Sequence, residues 1–159
     1  MGTQLVMYEE EFTKINAVCD RLTKDANAKV VFLVDKNGQL ISAAGQTQNI
    51  DTTSLASLTA GNVAAMGGLA KLIGEAEFPN QFHEGARDSL YMTLVGSRVV
   101  LVVIFDNRTS LGLVRLRIKK ASEELGRIFE ALTKKTDSPG MGSPFAEISD
   151  DDIDNLFSE

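Results

Sequence analysis

Seven apolar residues run without a break from Val99 to Phe105, behind Arg98, in the stretch RVVLVVIF. A strand with no polar alternation has no face suited to water, so it belongs in the middle of a sheet covered on both sides. The chain must therefore supply flanking strands and helices for two layers. With 159 residues it is long enough for one domain of that kind.

The flanking elements are legible. Asp88 to Val95 alternates as a strand, and Gly96-Ser97 suits a two-residue hairpin turn into the apolar run. Upstream, Val30 to Val34 is a β-branched run. Asp35-Lys36-Asn37-Gly38 is a turn signal in which Asn-Gly supplies the positive φ angles of a tight hairpin, and Gln39 to Ala44 returns as its partner strand. Between Glu75 and Gly85, Phe78 and Phe82 flank Pro79-Asn80-Gln81; this reads either as an irregular connection or as a short edge strand. The lone histidine, His83, falls here as an exposed or edge side chain.

Three helices are predicted. Met7 to Leu22 places Phe12, Ile15, Val18, Cys19 and Leu22 on one face, with Glu9, Glu10 and Glu11 in the first turn, where negative charge suits the helix dipole. From about Leu111 to Lys134, the residues Leu111, Val114, Ile118, Ala121, Leu125, Ile128 and Leu132 repeat at 3-4 spacing behind a Thr109 or Ser110 cap. Its four bases Arg115, Arg117, Lys119 and Lys120 read first as a solvated face.

The central helix, Asp51 to Ile73, is unusual. Asp51 or Thr52 caps its start and Gly74 stops it. Leu55, Leu58, Ala65, Leu69 and Leu72 form a stripe expected to face the core. Beside it runs a stripe of small residues: Ser54, Ser57, Gly61, Ala64 and Gly68. Each helical glycine costs about 1 kcal/mol relative to alanine, so close approach of another backbone should compensate. That backbone belongs either to the domain's own sheet or to a partner. The expected fold is α+β, a three-layer α/β/α sandwich. Its five-stranded antiparallel sheet carries the central helix on one face and the terminal helices on the other.

Composition changes after residue 135. Residues 136–144 form a Gly/Pro/Ser linker, and residues 145–159 form a tail, FAEISDDDIDNLFSE, with six acids and no base. Residues 1–144 then hold 16 acids and 16 bases, so the net charge of −6 belongs to the tail. Its Phe145, Ile148, Ile153, Leu156 and Phe157 give it an apolar side, the pattern of a segment that folds on binding.

Several functions lack support. No phosphate-binding loop of the GxxxxGK[ST] type, no paired metal ligands and no histidine–nucleophile arrangement occur. Neither enzymatic activity nor a bound cofactor or metal is expected. The neutral folded part does not favour nucleic acid. No apolar run reaches the roughly 18–20 residues of a membrane span, and the acidic start MGTQLVMYEEEF is not a secretory signal. Cys19 alone forms no intramolecular disulfide, which fits a cytoplasmic setting, and its place on an apolar stripe reads as core.

The hairpin VVFLVDKNGQLISAAG, the Ala/Gly-rich helix TAGNVAAMGGLAKLIG and the strand pair SLYMTLVGSRVVLVVIF, in the order αββαβββα, resemble the roadblock family, named from dynein light chains and related to longin domains. The resemblance covers residues 1–135. It implies a homodimeric, non-catalytic activator of a small Ras-like GTPase, one GTPase per dimer, in bacterial cell polarity and motility. It also implies concentration at a cell pole. GTP and Mg would be held by the GTPase, whose own catalytic groups are repositioned without a donated arginine; Arg87, Arg98 and Arg108 accordingly read as surface charges. The alternative within the family is a passive dimeric adaptor. Under the first reading, Gly61, Ala64, Ala65 and Gly68 are the GTPase-contact candidates, with Lys14 and Lys120 as additional positive contacts. Phe145, Ile148, Ile153, Leu156 and Phe157 form a second contact that can bias nucleotide exchange.

Overall fold

The structure is a computed structural model that describes residues 9–137. Its elements are α1 (Glu9–Asp25), β1 (Val30–Asp35), β2 (Leu40–Gly45), α2 (Thr52–Leu72), β3 (Asn80–Glu84), β4 (Ser89–Val95), β5 (Val99–Phe105) and α3 (Leu111–Asp137). The strands form one antiparallel sheet in the order β2-β1-β5-β4-β3. The most apolar strand is thus the middle one. β1, buried at every position, pairs with it from Val30↔Ile104 to Asp35↔Val99. Residues 75–85 resolve as the edge strand β3 and the turns around it.

The sheet divides the core in two. Val31, Leu33, Leu101 and Val103 point to the layer of α1 and α3, where Ile15, Leu22, Val114, Leu125 and Leu132 meet them. Phe32, Val34, Val100 and Val102 point to the other face, where α2 contributes the buried Ala56 and the partly buried Leu55 and Val63. The α3 stripe packs as its spacing requires, and the Ser110 hydroxyl caps that helix at the Leu113 N–H, 3.2 Å away. On α1 the stripe holds except at Phe12, which is 41% exposed. Met7, where α1 was expected to begin, lies outside the described residues.

Both hairpins depart from the expected turns. In the first, only Gly38 has a positive φ, at +90°. Its N–H bonds to the Asp35 carbonyl, while the Asp35 carboxylate accepts from the N–H groups of Asn37 and Gln39, each at 2.9 Å. A turn followed by one left-handed glycine closes the loop, so the Asn residue need not be strained. The register slips by one residue between Leu33 and Val34 to absorb it. In the second, Val95 pairs with Val99, which makes the loop three residues, Gly96 to Arg98, instead of two.

Cys19 is fully buried in the α1/α3 layer, and burial pushes its thiol up to about 11 from an ordinary 9.0. Iodoacetamide at about pH 8 is expected to leave the folded chain unmodified and to alkylate the urea-unfolded chain. Equal rates would overturn the buried placement. Above the ordinary thiol pKa the unfolded chain releases this proton while the folded chain keeps it. The thiol's contribution to stability therefore declines as pH rises from 9.0 toward about 11.

Candidate functional site

α2 is anchored at both ends. Asp51 accepts from the Ser54 N–H at 3.1 Å and from the Ser54 hydroxyl at 2.8 Å, and these bonds hold its carboxyl below the usual carboxylate range. At the other end, Glu75 N–H bonds to the Ala70 carbonyl and Gly74 N–H to the Lys71 carbonyl, with Gly74 at φ +85°. That paired closure needs a left-handed residue after the last turn, which glycine adopts without strain.

Between these anchors the helix lies the opposite way round from its expected orientation. Its buried residues are Ala56, Thr59 and Ala70. These small side chains bring it down on β1 and β2. Of the stripe expected to face the core, Leu55 alone packs inward; Leu58 is 73% exposed, Leu69 46% and Leu72 84%, and Ala65 is exposed as well. Two apolar faces compete for the sheet here, and the one with the smaller side chains allows the closer approach. The larger residues are left as an outward ridge, continued by Ile73.

The small-residue stripe is external too. Ser54, Ser57, Gly61, Ala64 and Gly68 are all exposed. A Cβ added at Gly61, Gly67 or Gly68 would meet nothing within 4 Å. These glycines are not needed by the domain's own packing, so their helix cost of about 1 kcal/mol each is not offset inside it. Beside them a groove of about 390 Å³ runs between α2 and the sheet, lined by Val63, Ala64, Gly68, Phe78 and Leu94. Lys71 and Lys36 stand at its rim, with Lys36 paired to Glu77 at 4.0 Å. The sequence reading missed Lys36, Phe78 and Leu94, which come from a turn, a connection and a strand; no local pattern could have joined them.

Gly61, Ala64, Ala65 and Gly68 thus share one exposed surface. Lys14 and Lys120 do not join it. They are exposed on α1 and α3, behind the sheet, where Lys14 pairs with Glu10 at 3.4 Å and Lys120 borders an α1/α3 crevice with Arg21 and Arg117. Arg87 and Arg108 lie near one end of the sheet and Arg98 at the other; Arg108 is tied to Asp106 at 3.0 Å. His83 is exposed on β3. Phe145, Ile148, Ile153, Leu156 and Phe157 lie outside the described residues. Among the described residues no group of three potential ligands could hold a metal ion, and no helix is long and apolar enough to cross a membrane.

The Roadblock/LC7 domain family matches residues 14–105, which span α1 to β5 and include this surface. The chain belongs to that family. Among solved structures, Myxococcus xanthus MglB is 93% identical, covers 84% of this chain and 100% of its own, and superposes with a TM-score of 0.79. The gliding protein MglB of Thermus thermophilus is 35% identical over 80% of this chain and 97% of its own, with a TM-score of 0.76. A structure described as MglB with tetrameric arrangement is 33% identical over 81% and 97%, with a TM-score of 0.77. None of the curated proteins compared with the chain matches it. In this roadblock domain, then, the exposed helix belongs to a fold shared with several MglB structures.

The open surroundings of the roadblock domain's glycines set an expectation. Gly61→Ala and Gly68→Ala should each stabilise the chain by about 0.5–1 kcal/mol, read as a higher urea midpoint. A lower midpoint would show that the domain itself needs the missing side chain. For the same reason Ala64→Arg with Gly68→Arg should leave the fold intact by circular dichroism.

Proposed function

We propose that the chain is a homodimeric regulator of a small Ras-like GTPase of the MglA type and that it speeds GTP hydrolysis. The observation that carries this reading is the 93% identity to Myxococcus xanthus MglB over the whole of that chain. The α2 surface supports it. Small residues there would let a GTPase backbone approach closely, and the adjacent groove would take an apolar side chain between Val63 and Leu94. Gly61, Ala64, Ala65 and Gly68 are the proposed contacts. Lys14 and Lys120 would form a separate contact on the opposite layer.

The proposed mechanism needs no arginine from this surface. Hydrolysis by such GTPases requires stabilised charge on the phosphoryl group and a positioned water. α2 and its flanking turn carry no arginine from Asp51 to Gly74. The proposed source of stimulation is preferential binding to the GTPase conformation in which its own catalytic groups are in place. A hundredfold increase by that route requires about 2.7 kcal/mol of preference between conformations. That is small against the energy of a protein interface.

Assembly is proposed on two grounds. Leu58, Leu69, Leu72 and Ile73 form an exposed apolar ridge, a feature that suits a partner surface. One solved MglB is described as tetrameric. A homodimer binding one GTPase would need roughly 2,000 Å² of buried surface between its copies. The tail residues Phe145, Ile148, Ile153, Leu156 and Phe157 are proposed to touch the GTPase as well and to promote nucleotide exchange.

Multiple-turnover GTP hydrolysis by the partner GTPase tests the reading. The full chain is expected to raise the rate by about tenfold or more, and the folded Ala64→Arg, Gly68→Arg variant to lose both binding and stimulation. Binding by the full chain with no change in turnover would replace the activator with a passive adaptor. Retained binding by the double variant would move the contact off α2. A chain lacking residues 139–159 is expected to slow nucleotide exchange while keeping the fold.

A further inference from the structure

A second and larger groove lies on the other side of the sheet, away from α2. It measures about 710 Å³ and runs between α3 and the strands β4 and β3, because α3 packs over β4 and leaves the sheet edge uncovered. Tyr91, Val95 and Ile118 give it an apolar floor, and Arg115 and Lys119 stand along it. Leu116, beside them on α3, is 61% exposed, and Phe82 on the edge strand is 39% exposed against Phe105.

The charge of this groove is net positive. Arg115 and Lys119 are the bases that line it, and Glu123, one turn on from Lys119, is its acid. Among the described residues neither Arg115 nor Lys119 forms an ion pair. In the α2 groove Lys36 already faces Glu77, which leaves Lys71 as its one base outside an ion pair among the described residues. A segment that fits the α3 groove would be acidic, free of bases and studded with apolar side chains.

The chain contains one such segment. Residues 145–157 carry Glu147, Asp150, Asp151, Asp152 and Asp154 among Phe145, Ile148, Ile153, Leu156 and Phe157, with no base. It is tethered within reach. Lys119 to Asp137 on α3 is a rise of about 27 Å, and the eight steps from Asp137 to Phe145 span up to about 28 Å when extended. Phe145 can therefore return alongside Lys119, and the residues after it can lie over Leu116 and the groove. A short tether holds such a segment at an effective concentration near millimolar, so weak contacts suffice.

We propose that the groove between α3 and the β4/β3 edge is the docking site of the chain's own C-terminal segment, residues 145–157. Its carboxylates face Arg115 and Lys119, and its apolar side chains cover Leu116 and the groove floor. The docking itself does not depend on the GTPase reading. Its consequence does: the same apolar residues cannot touch a GTPase while docked, so the groove would hold back the tail's contribution until the partner competes for it.

Photo-crosslinking of the full chain without any GTPase tests this. With p-benzoylphenylalanine in place of Phe157, irradiation is expected to join residue 157 to peptides within 80–96 or 111–123. Charge reversal by Arg115→Glu with Lys119→Glu, both exposed, should keep the fold and lower the cross-linking yield about fivefold or more. Added salt should lower it in the unmodified chain. Cross-links confined to other surfaces, or an unchanged yield in the charge-reversed variant, would overturn the proposal. Because no GTPase is present, either result leaves the hydrolysis experiment to be decided separately.

Discussion

The pairing of β1 with β5 is the constraint on which the rest depends. β5 is apolar along its length and β1 up to Val34, and residues on both faces of each are buried. Neither can be placed at an edge or against water without losing a large part of the hydrophobic stabilisation. Two layers must cover them, and the three helices divide unequally between the layers. α1 and α3 together close one face; α2 alone serves the other. The thinner layer is where the chain exposes its most apolar helix.

That asymmetry explains why α2 can look both stable and unfinished. Its ends are closed by Asp51 and by the Gly74 turn, so the helix is fixed in place. Its inner face uses Ala56, Thr59 and Ala70 to lie close to the sheet. Its outer face presents Leu58, Leu69 and Leu72 beside glycines at which an added Cβ would meet nothing within 4 Å. A helix apolar on two sides is normally buried on two sides. Within this domain only one side is covered, and the proposed partners supply the other.

The α3 layer is complete over β4 and incomplete beyond it. There the unmatched feature is charge more than apolarity: a base-rich half-helix on a chain whose acid excess lies in its last residues. The two sides of the sheet thus present surfaces of different chemistry. One suits close backbone approach and the other an acidic apolar segment, the two occupants proposed above.

The sequence alone determined the element order outside residues 75–85, the central place of Val99–Phe105 and the packing stripe of α3, and it narrowed the helix caps to Asp51 or Thr52 and to Thr109 or Ser110. Each follows from a local rule: periodicity, an unbroken apolar run, or a side-chain oxygen at a helix start. It also marked Gly61, Ala64, Ala65 and Gly68 as one group, since helical spacing places them on neighbouring turns. Tertiary structure decided which face of α2 turns inward. Two apolar stripes on one helix satisfy the same periodicity, and only the closeness of approach to β1 and β2 separates them; hence Leu58, Leu69 and Leu72 face outward, against the expectation. It also decided that Lys36, Phe78 and Leu94 share a groove with α2 while Lys14 and Lys120 lie behind the sheet. Those neighbours are distant in the chain, and only the strand order brings them together or holds them apart.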